Sequence, residues 1–317
     1  SSVEVSMSNL QLTIYFFLQI ALILGVCRIV GVIAARFGQP QVVAEMIAGV
    51  VLGPSVFGLF VPEWQTFLFP WDSTQTTRDT QSYLFPAAQL GLALYMFIVG
   101  MEFRVDIIRE HLKSSVAVSL AGMLVPFVLG ILLTLVLFYQ TTLFPAKTSL
   151  FEASLFMGAS LCITAFPMLA RIIHFKGLAG TRMGTVALGA GAIDDAAAWC
   201  LLALVLASFS GNFQGAAVSI GGGVCFVAVA FLVVKPLLNR WSWIFLDKDE
   251  QLSETGLVFA IILMALSAMT TDWLHLHAVF GAFIAGATIP RPVVYRQVID
   301  RIQPLTVALL LPLFFTY

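Results

Sequence analysis

Apolar runs long enough to cross a bilayer recur along the whole chain, separated by short polar stretches. They lie at roughly 11–36, 40–60, 86–103, 114–139, 150–175, 183–210, 215–238, 253–270 and 277–290. A bilayer core about 30 Å thick needs about 20 apolar residues per helix. A tenth run begins at Pro304 and stops at Tyr317 after 14 residues, too short to cross. The pattern predicts a polytopic, all-α membrane protein, and the short last run predicts that further helices follow in a longer chain. The N-terminal flank "SSVEVSMSNL" has no positive charge before a long first run, so no cleavable signal peptide is expected.

Composition agrees with the pattern. The chain is 60% hydrophobic and only 10% charged, far from an ordinary globular domain. The net charge of −1 points to no partner. No basic tract, phosphate loop or nucleotide fingerprint is visible, so neither nucleic-acid binding, a cofactor nor enzyme chemistry is expected. Cys27, Cys162, Cys200 and Cys225 fall in four different runs without a CxxC spacing, which predicts small core residues rather than a zinc site or disulfides.

Basic residues set the orientation. With Ser1 outside and alternating segments, the inner loops hold Arg36; Arg104, Arg109 and Lys113; Arg171, Lys176 and Arg182; Lys235, Arg240 and Lys248; Arg291, Arg296 and Arg301. Only Arg78 and Lys147 fall outside, and Arg28 lies within the first helix. The bias predicts an outside N-terminus.

Against this apolar background, "GAGAIDDAAAWC" sets Asp194 and Asp195 near the middle of a run, among Gly184, Gly189, Gly191 and Ala196–Ala198. Ionisable groups at membrane depth face a bundle interior or a water-filled cavity. Successive helical residues point about 100° apart, so one acid can face a cavity while the other meets a flanking helix. Gly191, one turn before Asp195, leaves room for a neighbouring backbone or a hydrated ion. Two adjacent carboxylates titrate as a coupled pair, and one that trades a proton for a cation is what proton-coupled transport requires. A buried polar pair that merely fixes helix packing is the structural alternative.

The preceding run holds a second anomaly. "SLCITAFPMLARII" places Pro167 near its middle, where the missing N–H leaves the carbonyl of Ile163 unbonded and the ring opens the turn. Freed carbonyls and the Thr164 hydroxyl are hard oxygen ligands for a cation. Non-helical backbone at membrane depth is tolerated where it lines a cavity, and broken helices beside such groups form the substrate sites of secondary transporters. A plain proline kink is the simpler reading. Elsewhere, Glu45 reads as a snorkelling or paired interfacial acid, or as a pathway lip. Glu102 and Asp106 read as solvated loop acids, and His275 and His277 as an outer interfacial belt anchored by Trp273. "IAGVVLGP" (47–54) and "IAGATIP" (284–290) echo each other at the ends of short helices that would run in opposite directions, as in an inverted repeat.

Taken in order, "PQVVAEMIAGVVLGPSVFG" (40–58), "ITAFPMLARII" (163–173), "AIDDAAAWCLLALVLA" (192–207), "VFGAFIAGATIP" (279–290) and "LLLPLFFTY" (309–317) resemble the monovalent cation:proton antiporter-2 family. The resemblance implies a thirteen-helix homodimer of the inverted-repeat sodium/proton antiporter fold with broken core helices, whose C-terminal helices would be missing from this chain. Residues 1–110 would be the first three helices of the dimerisation domain, 111–212 the first half of the ion-transport core, 213–250 a linker helix, and 251–317 the second part of the dimerisation domain. By the same resemblance, Asp195 matches the essential cation- and proton-binding aspartate, Asp194 the preceding position, and Thr164 the residue of the broken helix that lines the site, with Ile163 and Pro167 framing the break. The implied function is exchange of Na+ or K+ for H+ by alternating access, with no metal beyond that transported cation. The alternatives are a ligand-gated potassium efflux system or an ion sensor that transports nothing. A bacterial inner membrane or a thylakoid or other internal membrane would satisfy the same charge rule.

Overall fold

In the computed structural model the described residues are 9–69, 80–102, 105–140, 143–145, 148–178, 181–210, 213–290 and 293–316. Arg78, Arg104, Lys147, Arg291 and Tyr317 lie outside them, as do the side chains of Asp106 and Arg109. Among the described residues every regular element is helical, apart from one bridge between Leu246 and Leu252.

The chain opens with α1 (Asn9–Arg36), α2 (Gln41–Leu52) and the short α3 (Phe57–Phe60) and α4 (Pro62–Leu68). The long α5 (Thr80–Glu102) and α6 (Val105–Leu137) follow, then α7 (Leu150–Cys162), α8 (Phe166–Phe175) and α9 (Arg182–Ser210). Next come α10 (Phe213–Val229), which passes through a π-helical turn at Ala230–Val234 into α11 (Lys235–Arg240), and α12 (Glu254–Trp273). The chain continues with α13 (Ala278–Thr288), α14 (Val293–Leu305), a π-helical turn at Thr306–Leu310 and α15 (Leu311–Thr316). Nine of these stretches are long and apolar enough to cross a membrane. On α6, Leu124, Val128 and Leu132 form an exposed stripe at helical spacing, a face suited to hydrocarbon rather than water. The protein is an integral, multi-pass membrane protein.

Two expectations about length are corrected. The run at 277–290 is not a full span, because α13 has only 11 residues, about 16 Å at 1.5 Å per residue. Conversely, the last run is not a stub: Val294–Thr316 forms a span of 23 residues. Arg296, Asp300 and Arg301 hide its first half from a hydropathy reading, since that half is amphipathic. Pro304 does not end the helix either. The ladder shifts register in the following π-helical turn, and the Thr306 hydroxyl donates to the carbonyl of Ile302 at 2.7 Å.

The chain forms two compact units, residues 1–95 with 300–317 and residues 96–299. In the first, Ile23, Cys27, Ala48, Leu52, Leu84 and Leu313 make the core, and Gly49 lets the backbone of Thr316 approach so closely that a Cβ would stand 2.8 Å from its Cα. Glu45 is 1% exposed in this unit, so it does not snorkel. In the second, α6 packs on α7 through Gly130 and Gly158. The end of α5 lies backbone to backbone against α13. A Cβ on Gly100 would strike the carbonyl oxygen of Phe283, and one on Gly286 that of Phe97. Glu102, expected to be solvated, is only partly exposed and accepts from His174 Nε2 at 2.8 Å.

Candidate functional site

The helix that Pro167 was expected to disturb is broken outright. It starts at a capping box in which Ser149 N–H donates to Glu152 Oε2 at 2.8 Å and Glu152 N–H to Ser149 Oγ at 3.2 Å, satisfying two of the orphan donors of its first turn. It ends at Cys162, and Ile163–Ala165 are non-helical. Proline has no N–H to bond the carbonyl four residues back, and it sits without cost in a first helical turn. Here Pro167 lies in the first turn of α8. Ile163 and Thr164 are exposed within the break, and the helical ladder of α7 closes with the Ile163 N–H donating to the Ala159 carbonyl at 3.2 Å, so the carbonyls after it have no donor from a next helical turn.

Beside this break runs α9. Gly191 meets Phe166 and Leu169, with a Cβ there 2.8 Å from a methyl of Leu169. Phe166, 1% exposed, also packs edge to face on Phe283 of α13 at 5.5 Å. One turn after Gly191 the two acids part company. Asp194 is 8% exposed and turns to α6, where the Ser119 hydroxyl donates to its Oδ1 at 2.6 Å. Asp195 is partly exposed, and Trp199 stands one turn further along α9. The Trp199 ring stacks on His277 at 4.8 Å and 24°. So His277 turns inward onto Trp199 at the start of α13, while Trp273 and His275 stay exposed.

The structure therefore brings Ile163, Thr164 and Pro167 onto the segment that packs against the acidic helix. It also adds three residues that the sequence did not single out as site residues: Ser119, Trp199 and His277. Trp199 could have been found from its spacing, since residues four apart on a helix are neighbours. Among the described residues, no cluster of three or more His, Cys, Asp or Glu could hold a metal ion. All four cysteines are free; Cys27 and Cys162 are buried as expected, but Cys225 is exposed on α10.

Membrane-length helices with a broken helix set against an acidic one are the architecture of a secondary transporter. Residues 20–317 match the family model described as sodium/hydrogen exchanger, transmembrane, and the chain belongs to this family of monovalent cation:proton antiporters. It is 37% identical over 306 residues to the Na(+)/H(+) antiporter NhaS4 of Synechocystis sp., covering 94% of this chain and 71% of that one. It is 32% identical over 309 residues to the Cation/H(+) antiporter 20 of Arabidopsis thaliana, covering 94% of this chain and 36% of the plant protein. With the K(+)/H(+) antiporter 1 of Saccharomyces cerevisiae it shares 33% identity over 317 residues, covering 97% of this chain and 35% of the yeast protein. The chain thus spans about a third of the plant and yeast relatives' length.

Proposed function

We propose that this protein exchanges Na+ or K+ for H+ across a membrane by alternating access, with Asp195 as the shared binding group. The observation that carries this reading is the unequal treatment of the two acids. Asp194 is buried and held by Ser119, whereas Asp195 stays partly exposed on the helix that packs beside the α7–α8 break. One carboxylate that holds either a proton or a cation gives obligate exchange by competition alone. Thr164 and the free carbonyls near Ile163 replace part of the cation's hydration shell, and Pro167 keeps the break open.

In this reading, residues 111–212 carry the ion past a scaffold built from 1–110 and 251–317, with 213–250 as the link, and two chains pair through the scaffold. Its N-terminus faces outward, in a bacterial inner membrane or an internal membrane such as the thylakoid.

The test uses the full-length protein in proteoliposomes with an internal pH dye. Sodium and then potassium are added, with and without a clamped membrane potential. Wild type moves protons in response to one or both cations, and voltage sensitivity reports whether the exchange is electrogenic. Asp195→Asn inserts normally and moves none. Cation-driven proton movement that survives in this variant overturns the mechanism.

A further inference from the structure

We propose that a cavity between α9 and α10 holds an acyl chain of a bilayer phospholipid, which enters from the hydrocarbon face of α10 and lies against Trp199.

The cavity follows from where side chains stop. On α9, Ala196 presents a single methyl group, and on α10 Gly223 has no side chain at all. Gly222 and Gly223 also bring α10 down onto the turn between α12 and α13. A Cβ on Gly222 would stand 2.5 Å from a methyl of Leu274, and one on Gly223 2.5 Å from a methyl of Leu276. Beside that contact a void of about 230 Å³ remains, walled by Trp199 and Cys200 from α9, Val224 from α10 and Leu276 from the turn, among others.

The chemistry of the walls selects the occupant. Of the residues that line the cavity, only Trp199 and Cys200 carry a side-chain heteroatom. An ordered water needs two to four polar partners, so neither water nor a hydrated ion is held here. An apolar cavity of about 150 Å³ stays dry and takes up a guest the size of benzene, and this one is larger. Left empty, it would forfeit the dispersion contacts of the atoms around it.

Position names the source. The cavity borders α10, which belongs to the span Gln214–Arg240, and no charged residue falls between Phe213 and Val229. Val218, Gly221 and Cys225 are exposed at helical spacing on one face of α10. Beside them Val224 is 68% exposed and also lines the cavity. The void is therefore continuous with a surface that meets lipid tails, the apolar molecules a membrane supplies at that depth. A chain that turns in past Val224 reaches Leu276, which is only 3% exposed. It also fills the space beside the Trp199–His277 stack, on the helix that carries Asp194 and Asp195.

Photolabelling can follow the chain. Full-length wild-type protein is reconstituted in phosphatidylcholine vesicles that include a phosphatidylcholine with a diazirine on one acyl chain, irradiated, and mapped by mass spectrometry. Val224 and Leu232, 68% and 76% exposed, meet lipid in any case and serve as the reference. The expected result is label on Leu276 and Cys200 as well. Val227 lines the same cavity, so Val227→Phe plugs it; label on Leu276 falls to background while that on Leu232 stays. If this variant does not fold, the wild-type map decides by itself.

Label confined to the reference residues in wild type overturns the proposal, whether the cavity stands empty or another stretch of the full chain fills it. Undiminished label on Leu276 in folded Val227→Phe overturns it too, because the chain then takes another path. Water is tested separately. With Cys200 as the only cysteine, a permanently charged methanethiosulfonate leaves the native protein unmodified and reacts after denaturation in SDS. Reaction in the native protein marks an aqueous cavity and rejects the acyl chain.

Discussion

Asp194 and Asp195 are neighbours with opposite obligations, and the difference lies in what each side chain touches. Asp194 is closed off by a single donor, the Ser119 hydroxyl at 2.6 Å. Ser119→Ala leaves a buried carboxylate oxygen without that partner, at a cost of about 1–3 kcal/mol. A thermal-shift assay in detergent should record a lower melting temperature, with cation-driven proton flux at the permissive temperature retained. Wild-type stability in this variant would mean that Asp194 finds another donor. The acids themselves stand out in the sequence because charge at membrane depth is rare and expensive. Ser119 does not, since serines occur throughout membrane helices and this contact joins residues 75 apart in the chain. Likewise "DWLHLH" read as an interfacial belt; what turns His277 inward is a backbone conformation that residue type does not announce.

At the scale of elements, the break between α7 and α8 was legible because a proline in an apolar run has a definite stereochemical consequence. Element lengths were less so. The half-length α13 and the full last span differ from hydropathy expectations for one reason: apolar content marks where side chains leave water, for lipid or for the protein interior as in α13, not where the backbone starts and stops turning. Close approach between helices is equally quiet in sequence, although glycine permits it. Gly286 and Gly122 both lie in helices, yet a Cβ on Gly286 would strike a backbone carbonyl while one on Gly122 meets nothing within 4 Å. Backbone cannot yield as a side-chain tip can, so Gly286→Val is destabilised by about 3 kcal/mol or more. Gly122→Ala is neutral or slightly stabilised through its helix propensity. Fluorescence-detected size exclusion after heating compares them; equal survival would refute the packing argument.

For the whole molecule, the distribution of Lys and Arg carries the orientation, and it can be checked one loop at a time. In a background lacking the four native cysteines, Leu143→Cys should react with a membrane-impermeant thiol reagent added outside intact cells. Asp249→Cys should react only after permeabilisation. The reverse pattern would invert the proposed topology. Both positions are exposed, so protection at either one reports the membrane and not the fold. A mechanical consequence follows from the meeting of α5 and α13. Where Gly100 and Gly286 bring two backbones together, no rotamer lies between them that could change to absorb a shift, and close-packed interiors transmit strain rather than damp it. The end of α5 and the whole of α13 must therefore travel as one stiff piece, and any give in this part of the protein has to be found elsewhere.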